Sequence, residues 1–317
     1  MTAAPNGPTA PTAWMFPGQG SQRAGMAEPL SAAPELFAIA RSVLPFDLEP
    51  ACTTDPRPAW TTERLQPAMF VVCVAAARAL QARDAHPAAL LGHSLGEFAA
   101  LVAGGALSFE DGLTVVAARG RAMDAASRTE PGGMAAVLGL DLATIEQICT
   151  DIGGVWPANL NSPGQIVISG RDTSLAQAAE ACRAAGAGRV VRLDVPIAAH
   201  SPLMAPAADE LRSVLESVEL VAPSAPIWSV VDARPHSDPA EIRNLLVEGV
   251  VSPVRFWEAV EAVHADGIGR FVEVGPGGVL SGLARRTVPG IELAGVASDE
   301  DADTVAGTVA AATGGRA

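Results

Sequence analysis

A chain of 317 residues with 49% hydrophobic and 18% charged side chains has a globular composition and the length for one large domain, or a large domain with a smaller insert. Its formal net charge of −14 argues against nucleic acid as a partner, because phosphate binding needs a basic face. The longest apolar runs, such as residues 69–77, reach about half the length of a membrane span, so a soluble, cytoplasmic protein with no membrane partner is expected.

Residues 1–12 lack the basic region and apolar run of a signal peptide and read as a disordered tail. Residues 13–16 form a strand candidate ending in the turn-forming Pro17-Gly18-Gln19-Gly20. Residues 66–83 read as a buried helix. Pro87 opens a short strand over residues 88–91, which runs straight into Gly92-His93-Ser94-Leu95-Gly96. A helix over residues 97–103 follows, closed by Gly104-Gly105.

Between Gly132 and Val195 the expected order is strand 134–138, helix 141–151 capped by Asp141, strands 155–161 and 165–170, helix 173–185 and strand 189–195. That βαββαβ order is the split βαβ of a ferredoxin-like domain. The expected architecture is α/β: an α/β-hydrolase-like large domain, discontinuous over residues 13–130 and 198–300, holding a ferredoxin-like subdomain at 131–197 and followed by a C-terminal tail at 301–317. Cys52, Cys73, Cys149 and Cys182 show no metal-ligand spacing and no disulfide framework, and are expected as buried free thiols.

Gly92-His93-Ser94-Leu95-Gly96 fits the G-x-S-x-G nucleophile elbow, in which the flanking glycines allow a turn too tight for side chains. The helix that follows points backbone N–H groups at the serine and favours negative charge there. A serine hydroxyl needs a base within hydrogen-bond reach. The chain has five histidines. His93 adjoins the serine, but at so sharp a turn its side chain should point away. His200 follows the last strand of the insert, where the chain returns to the large domain.

Five motifs stand in chain order: Phe16-Pro17-Gly18-Gln19-Gly20-Ser21-Gln22; Gly92-His93-Ser94-Leu95-Gly96-Glu97-Phe98; Asn159-Leu160-Asn161-Ser162-Pro163-Gly164-Gln165; His200-Ser201-Pro202-Leu203-Met204; and Phe271-Val272-Glu273-Val274-Gly275-Pro276-Gly277. Together they resemble those of malonyl-CoA:acyl carrier protein transacylases, a family that includes the acyltransferase domains of polyketide synthases. The resemblance implies Ser94 as nucleophile, His200 as its base, and the backbone N–H groups of Gln19 and Leu95 as oxyanion hole. It implies Arg119 as the holder of a malonyl carboxylate, with His93, Asn161 and Gln165 in support. The implied reaction is ping-pong transfer of a malonyl or related carboxylated acyl group from coenzyme A to the phosphopantetheine thiol of an acyl carrier protein. No metal or redox cofactor is implied, and the phosphopantetheine belongs to the partner.

Two departures bear on this. Where the family commonly has a glutamine whose backbone carbonyl orients the histidine, this chain has Gly249. Ile197-Ala198-Ala199-His200 matches neither the malonyl nor the methylmalonyl pattern of polyketide enzymes and leaves more room beside the histidine. The alternatives are therefore an acyltransferase serving polyketide synthase modules with a larger extender, transfer between two carrier proteins, an α/β-hydrolase-type thioesterase, and a scaffold with a dead site. Because coenzyme A and carrier proteins are anionic, an acidic enzyme needs a local basic rim. Arg189, Arg192, Arg255, Arg270, Arg285 and Arg286 are the candidates.

Overall fold

Two β-sheets, one mostly parallel and one antiparallel, organise the computed structural model, which describes residues 11–53 and 61–313. The chain begins β1 (Thr12–Phe16), α1 (Ala33–Val43), α2 (Glu49–Thr53), α3 (Thr62–Gln81), β2 (Ala89–Gly92), α4 (Gly96–Ala103) and α5 (Phe109–Thr129). It then makes β3 (Gly132–Leu138), α6 (Leu142–Ile152), β4 (Val155–Ser162), β5 (Gln165–Arg171), α7 (Asp172–Ala184) and β6 (Arg189–Arg192). A 3-10 turn at Pro202–Met204 leads into α8 (Ala205–Glu216), β7 (Ile227–Trp228), β8 (Pro235–His236), α9 (Pro239–Glu248) and α10 (Phe256–Ala265). The last elements are β9 (Arg270–Val274), α11 (Val279–Thr287), β10 (Glu292–Val296) and α12 (Asp299–Thr313). The fold is α/β with mixed sheets.

The larger sheet runs β10-β9-β1-β2-β7-β8, and all its pairings are parallel except β7 with β8. Every residue of β1 and β2 is buried, as a parallel sheet covered on both faces requires. Strand alternation divides them between two cores: Trp14, Phe16 and Leu90 face one side, Ala13, Met15, Ala89 and Leu91 the other. The register pairs Phe16 with Gly92, so the loops that leave these two strands start side by side. His93 N–H donates to Phe16 O at 2.9 Å just beyond the sheet. The carboxyl end of neighbouring parallel strands is where α/β sheets place their ligands.

The smaller sheet runs β4-β5-β3-β6, antiparallel throughout. Helices α6 and α7 cover one face through Ile145, Cys149, Leu175 and Cys182. Met134, Ala158 and Val167 lie on the other, packed against Ala199. Strand β4 also belongs to the large body: Leu160 N–H donates to Val254 O and Val254 N–H to Ala158 O, each at 2.8 Å. The four cysteines are buried and free. No helix among the described residues is long and apolar enough to cross a membrane.

Three sequence expectations change. The last strand of the small sheet stops at Arg192, and residues 193–199 form an irregular approach to His200 that Pro196 keeps out of a ladder. The segment 301–317 is no tail through residue 313. Helix α12 buries Ala302 and Val305, and Asp303 accepts from Arg83 Nε at 2.5 Å. Its start is capped by Ser298, whose Oγ accepts from Asp301 N–H, and Asp301 Oδ2 reaches back to accept from Ala297 N–H, both at 3.0 Å. Of the expected N-terminal tail, residues 1–10 lie outside the described residues, and Thr12 already belongs to β1.

Helix α4 packs against the ends of β1 and β2 with no room for side chains. A Cβ on Gly96 would sit 2.0 Å from Phe16 O, and one on Gly92 2.0 Å from Glu97 N. Gly96→Ala should therefore cost about 3 kcal/mol or more, whereas Gly269→Ala, with nothing within 4 Å of its added carbon, should stay within about 1 kcal/mol of the parent. Denaturant unfolding of the two variants, compared at equal m-value, measures the contrast.

Candidate active site

The tight turn after β2 holds Ser94 at φ +54°, a left-handed conformation that L side chains rarely adopt. Gly96 N–H donates to His93 O at 3.0 Å and Glu97 N–H to Ser94 O at 3.1 Å, which closes the turn into α4. Ser94 Oγ lies 2.9 Å from His200 Nε2. His200 is itself at φ +58°, in a bend fastened by Ser201 Oγ–H donating to Ala198 O at 2.6 Å. His200 Nδ1 is 2.7 Å from Gly249 O. A carbonyl can only accept, so Nδ1 carries the proton and Nε2 is left bare to accept from Ser94. Gly249 closes α9 in a helical conformation, φ −59°, with its N–H on Leu245 O at 2.8 Å, so the position does not use glycine's conformational freedom.

Arg119 comes from α5. Gly120 beside it lets α5 approach α3 closely, since a Cβ there would meet Thr62 O at 2.8 Å. The guanidinium is only 3% exposed. Nη1 donates to Gln66 Oε1 at 2.7 Å and Nη2 to Ser94 Oγ at 3.0 Å, and the group lies 5.8 Å over the Phe98 ring. Among the described residues it has no carboxylate within ion-pair distance, and Nε has no partner. Burial lowers its pKa to about 10, partly countered by Glu97, so it remains a cation at neutral pH. A buried cation with no ionic partner is costly unless an anion arrives to pair with it. Burial, and then the Arg119 charge, depress the His200 imidazole to about 3.

Gln19 and Leu95 line the same cavity as Ser94, His200 and Arg119, a space of about 320 Å³. No hydrogen bond among the described residues uses the N–H of either. The cavity wall also includes Met134, Ile197 and Ala199. His93 turns its ring away from the serine: Nε2 lies 2.9 Å from Asn161 Oδ1, and the ring packs on Phe256. Gln165 is not brought to the cavity. It sits at the turn between β4 and β5, where its Oε1 accepts from Arg286 Nη2 at 2.9 Å.

Gln66 and Asp194 line the cavity without having been singled out in the sequence, and Asn159, part of the third motif, had been given no role. Gln66 is the lone amide in a run of apolar residues on α3, a signal readable in retrospect. Asn159 has a buried Oδ1 with no partner, which only the fold reveals.

The cavity opens through Gln19, Gln22, Asp194 and Val195 into an outer chamber of about 930 Å³. Of the six arginines expected to form a basic rim, only Arg192 lines this chamber, joined by Arg23 and Arg128. Arg270 is buried on β9, held by Glu292 and Thr308, and cannot serve. Arg255 pairs with Glu258, and Arg286 is engaged by Gln165. No group of three or more His, Cys, Asp or Glu among the described residues could hold a metal ion.

The chain matches the acyl transferase domain family over residues 13–315. It is 40% identical over 288 residues to the malonyl CoA-acyl carrier protein transacylase of Salmonella typhimurium, covering 87% of this chain and 92% of that protein. The solved malonyl CoA-acyl carrier protein transacylase of Coxiella burnetii is similar at a TM-score of 0.92 and 35% identity, over 95% of this chain and 98% of that one. A malonyl-transacylase solved in complex with a type II polyketide synthase acyl-carrier protein gives 0.91 at 36% identity, over 94% and 100%.

The depressed imidazole sets a pH prediction. Because His200 stays unprotonated down to about pH 3, inactivation of Ser94 by a fluorophosphonate should show no acid limb at the ordinary imidazole value of 6.5. The rate should be level between about pH 5 and about pH 7, and a half-maximal fall near 6.5 would contradict the depressed imidazole.

Proposed function

The chain belongs to the acyl transferase domain family, as an acyltransferase of the malonyl-CoA:acyl carrier protein transacylase type, and from that premise we propose that it moves a malonyl or closely related carboxylated acyl group from coenzyme A to the phosphopantetheine thiol of an acyl carrier protein through an acyl-Ser94 intermediate. The observation that carries this reading is Arg119: a buried guanidinium, unpaired with any acid among the described residues, 3.0 Å from the serine oxygen. An acyl group ending in a carboxylate supplies the missing anion in bidentate form. An uncharged acyl group leaves the cation as it was.

In the first half-reaction Ser94 Oγ bonds the thioester carbonyl carbon as His200 Nε2 takes its proton. The oxyanion forms against the N–H groups of Gln19 and Leu95, each donor contributing about 2.7–4 kcal/mol to the transition state. The C–S bond breaks and coenzyme A leaves with the proton from Nε2. In the second half-reaction the carrier thiol passes its proton to His200, its sulfur attacks the acyl carbon, and Oγ leaves with the proton returned. The Gly249 carbonyl, accepting from Nδ1, takes the part a carboxylate plays in other serine triads. Docking of the substrate carboxylate on Arg119 also cancels the charge that opposes protonation of His200.

The outer chamber suits the rest of coenzyme A, with Arg23 and Arg128 offering guanidinium groups to phosphate. We read residues 131–197 as a ferredoxin-like subdomain within an α/β-hydrolase-like body. The order β4-β5-β3-β6, with helices after its first and third strands in the chain, supports that reading. A second reading keeps the mechanism and enlarges the substrate: Ile197 and Ala199 leave space in the cavity wall for a branched extender unit of polyketide synthesis.

Incubation with a panel of acyl-CoAs, followed by intact mass measurement with Ser94→Ala as blank, tests the proposal. A persistent malonyl adduct is expected. Arg119→Ala should lower malonyl kcat/KM by about 1.5–3 kcal/mol, or roughly ten- to 150-fold. Adducts only with larger carboxylated groups would select the second reading. Release of coenzyme A with no adduct would point to hydrolysis instead.

A further inference from the structure

The mechanism leaves two buried acids unused: Glu273, which accepts from the N–H groups of Gly278, Leu280 and Ser281, and Glu97, which has no such set of donors. Glu97 lies three residues after Ser94 in the first turn of α4 and is 5% exposed. Its hydrogen bonds among the described residues come from Ser229 Oγ–H and Val230 N–H, both at 3.4 Å to Oε1, and no cation pairs with it. An acid held this way is a poor means of filling space, since an apolar side chain of similar volume would avoid the desolvation.

Its position suggests another use. Glu97 Oε2 lies 3.8 Å from the point a Cβ on Gly249 would occupy, and Val231 Cγ2 lies 3.4 Å from the same point. One carboxyl therefore adjoins three parts of the site: the helix that follows the nucleophile, the turn after β7, and the residue whose carbonyl accepts from His200. The atom nearest to that point is the backbone Leu245 O of α9 at 3.2 Å, so Val231 and Glu97 supply the nearest side-chain atoms.

We propose that Glu97 is the positioning residue of the Ser94–His200 pair, its carboxyl bracing Gly249 against the helix that carries Ser94 and so fixing the carbonyl that aims the imidazole. It touches no reacting atom and acts through Gly249. The inference deepens the transacylase reading, yet its geometry concerns the Ser94–His200 pair whatever the acyl group.

The ionisation state of Glu97 gives the bracing a pH signature. Burial raises its carboxyl to about 8, opposed by the Val230 N–H, the Arg119 charge and the Ser229 hydroxyl, with Asp232 adding to the rise. Arg119 faces it from α5 and Asp232 from the turn after β7. Below about 8 the group is a neutral acid packed beside Gly249. Above it, a buried anion stands in that place and disturbs the residue that holds His200. The stability sign runs the same way. A carboxyl whose folded value lies above its unfolded 4.5 contributes stability that is complete below 4.5 and lost as pH rises to about 8.

Glu97→Gln mimics the neutral acid and cannot ionise, whereas Glu97→Leu keeps the volume and removes the acceptor. The experiment follows fluorophosphonate inactivation of Ser94, which needs no acyl substrate, alongside malonyl transfer, from about pH 7 to about pH 9. Glu97→Leu should slow inactivation and kcat about tenfold or more, with malonyl-CoA KM within about twofold. Glu97→Gln should retain more than about a third of the rate and lose the decline that the parent shows as Glu97 ionises. Parent-like inactivation by Glu97→Leu overturns the proposal, as does an unchanged alkaline decline in Glu97→Gln. If the leucine variant does not fold, the glutamine pH profile decides alone. If the parent transfers no malonyl group but its inactivation responds as stated, the positioning role stands and the substrate reading falls.

Discussion

Almost everything in the site follows from how closely α4 is pressed onto the end of β1. The two glycines that permit this contact leave about a bond length less than any side chain could tolerate. The approach forces Ser94 into its left-handed turn and points the first N–H groups of α4 at the cavity. It brings the loop carrying Gln19 alongside through the pairing of Phe16 with Gly92. It also fixes Glu97 at the inner face of the same helix. Ser94, two unclaimed donors and a buried acid are thus placed by one steric condition.

Charge is arranged around that scaffold with unusual economy. Arg119 and His200 both reach the serine oxygen, and burial, then the cation, keep the imidazole neutral. Glu97, the nearest buried acid, is held in its protonated form by its own desolvation. The resting site therefore contains one uncompensated positive charge, and binding of an anion is the event that balances it. The molecule as a whole carries −14, so this local excess is a matter of placement and not of composition.

The serine turn was legible in the sequence because its information is local: five consecutive residues with a strand before and a helix after. The order of elements in the small sheet was legible for the same reason, through alternation and turn residues. Arg119 was another matter. Next to it stands Arg121, which reaches out to Glu210 at 3.0 Å, and only the contact of Gly120 with α3 decides which arginine is buried. Resemblance to a family could single it out where periodicity could not. Gln66 meets its partner across 53 residues of chain, and Arg23 and Arg128 share a chamber that no spacing reveals. Helix α12 stands where a tail was expected, although Ser298 and Asp301, the residues of its cap, are readable in the sequence.

The backbone bonds between the small sheet and the body run along its β4 edge. Strand β4 shares backbone bonds with Val254, Asn161 meets His93, and Gln165 meets Arg286, while β6 at the opposite edge is largely exposed. A plate held along one edge behaves as a door on its hinge pins: displacement is least at the pins and grows towards the free edge. The pins adjoin the serine turn, and the free edge runs into the segment of Asp194 and Val195 that frames the outer chamber. Any displacement about those pins would change the aperture of the outer chamber more than the 2.9 Å between Ser94 Oγ and His200 Nε2.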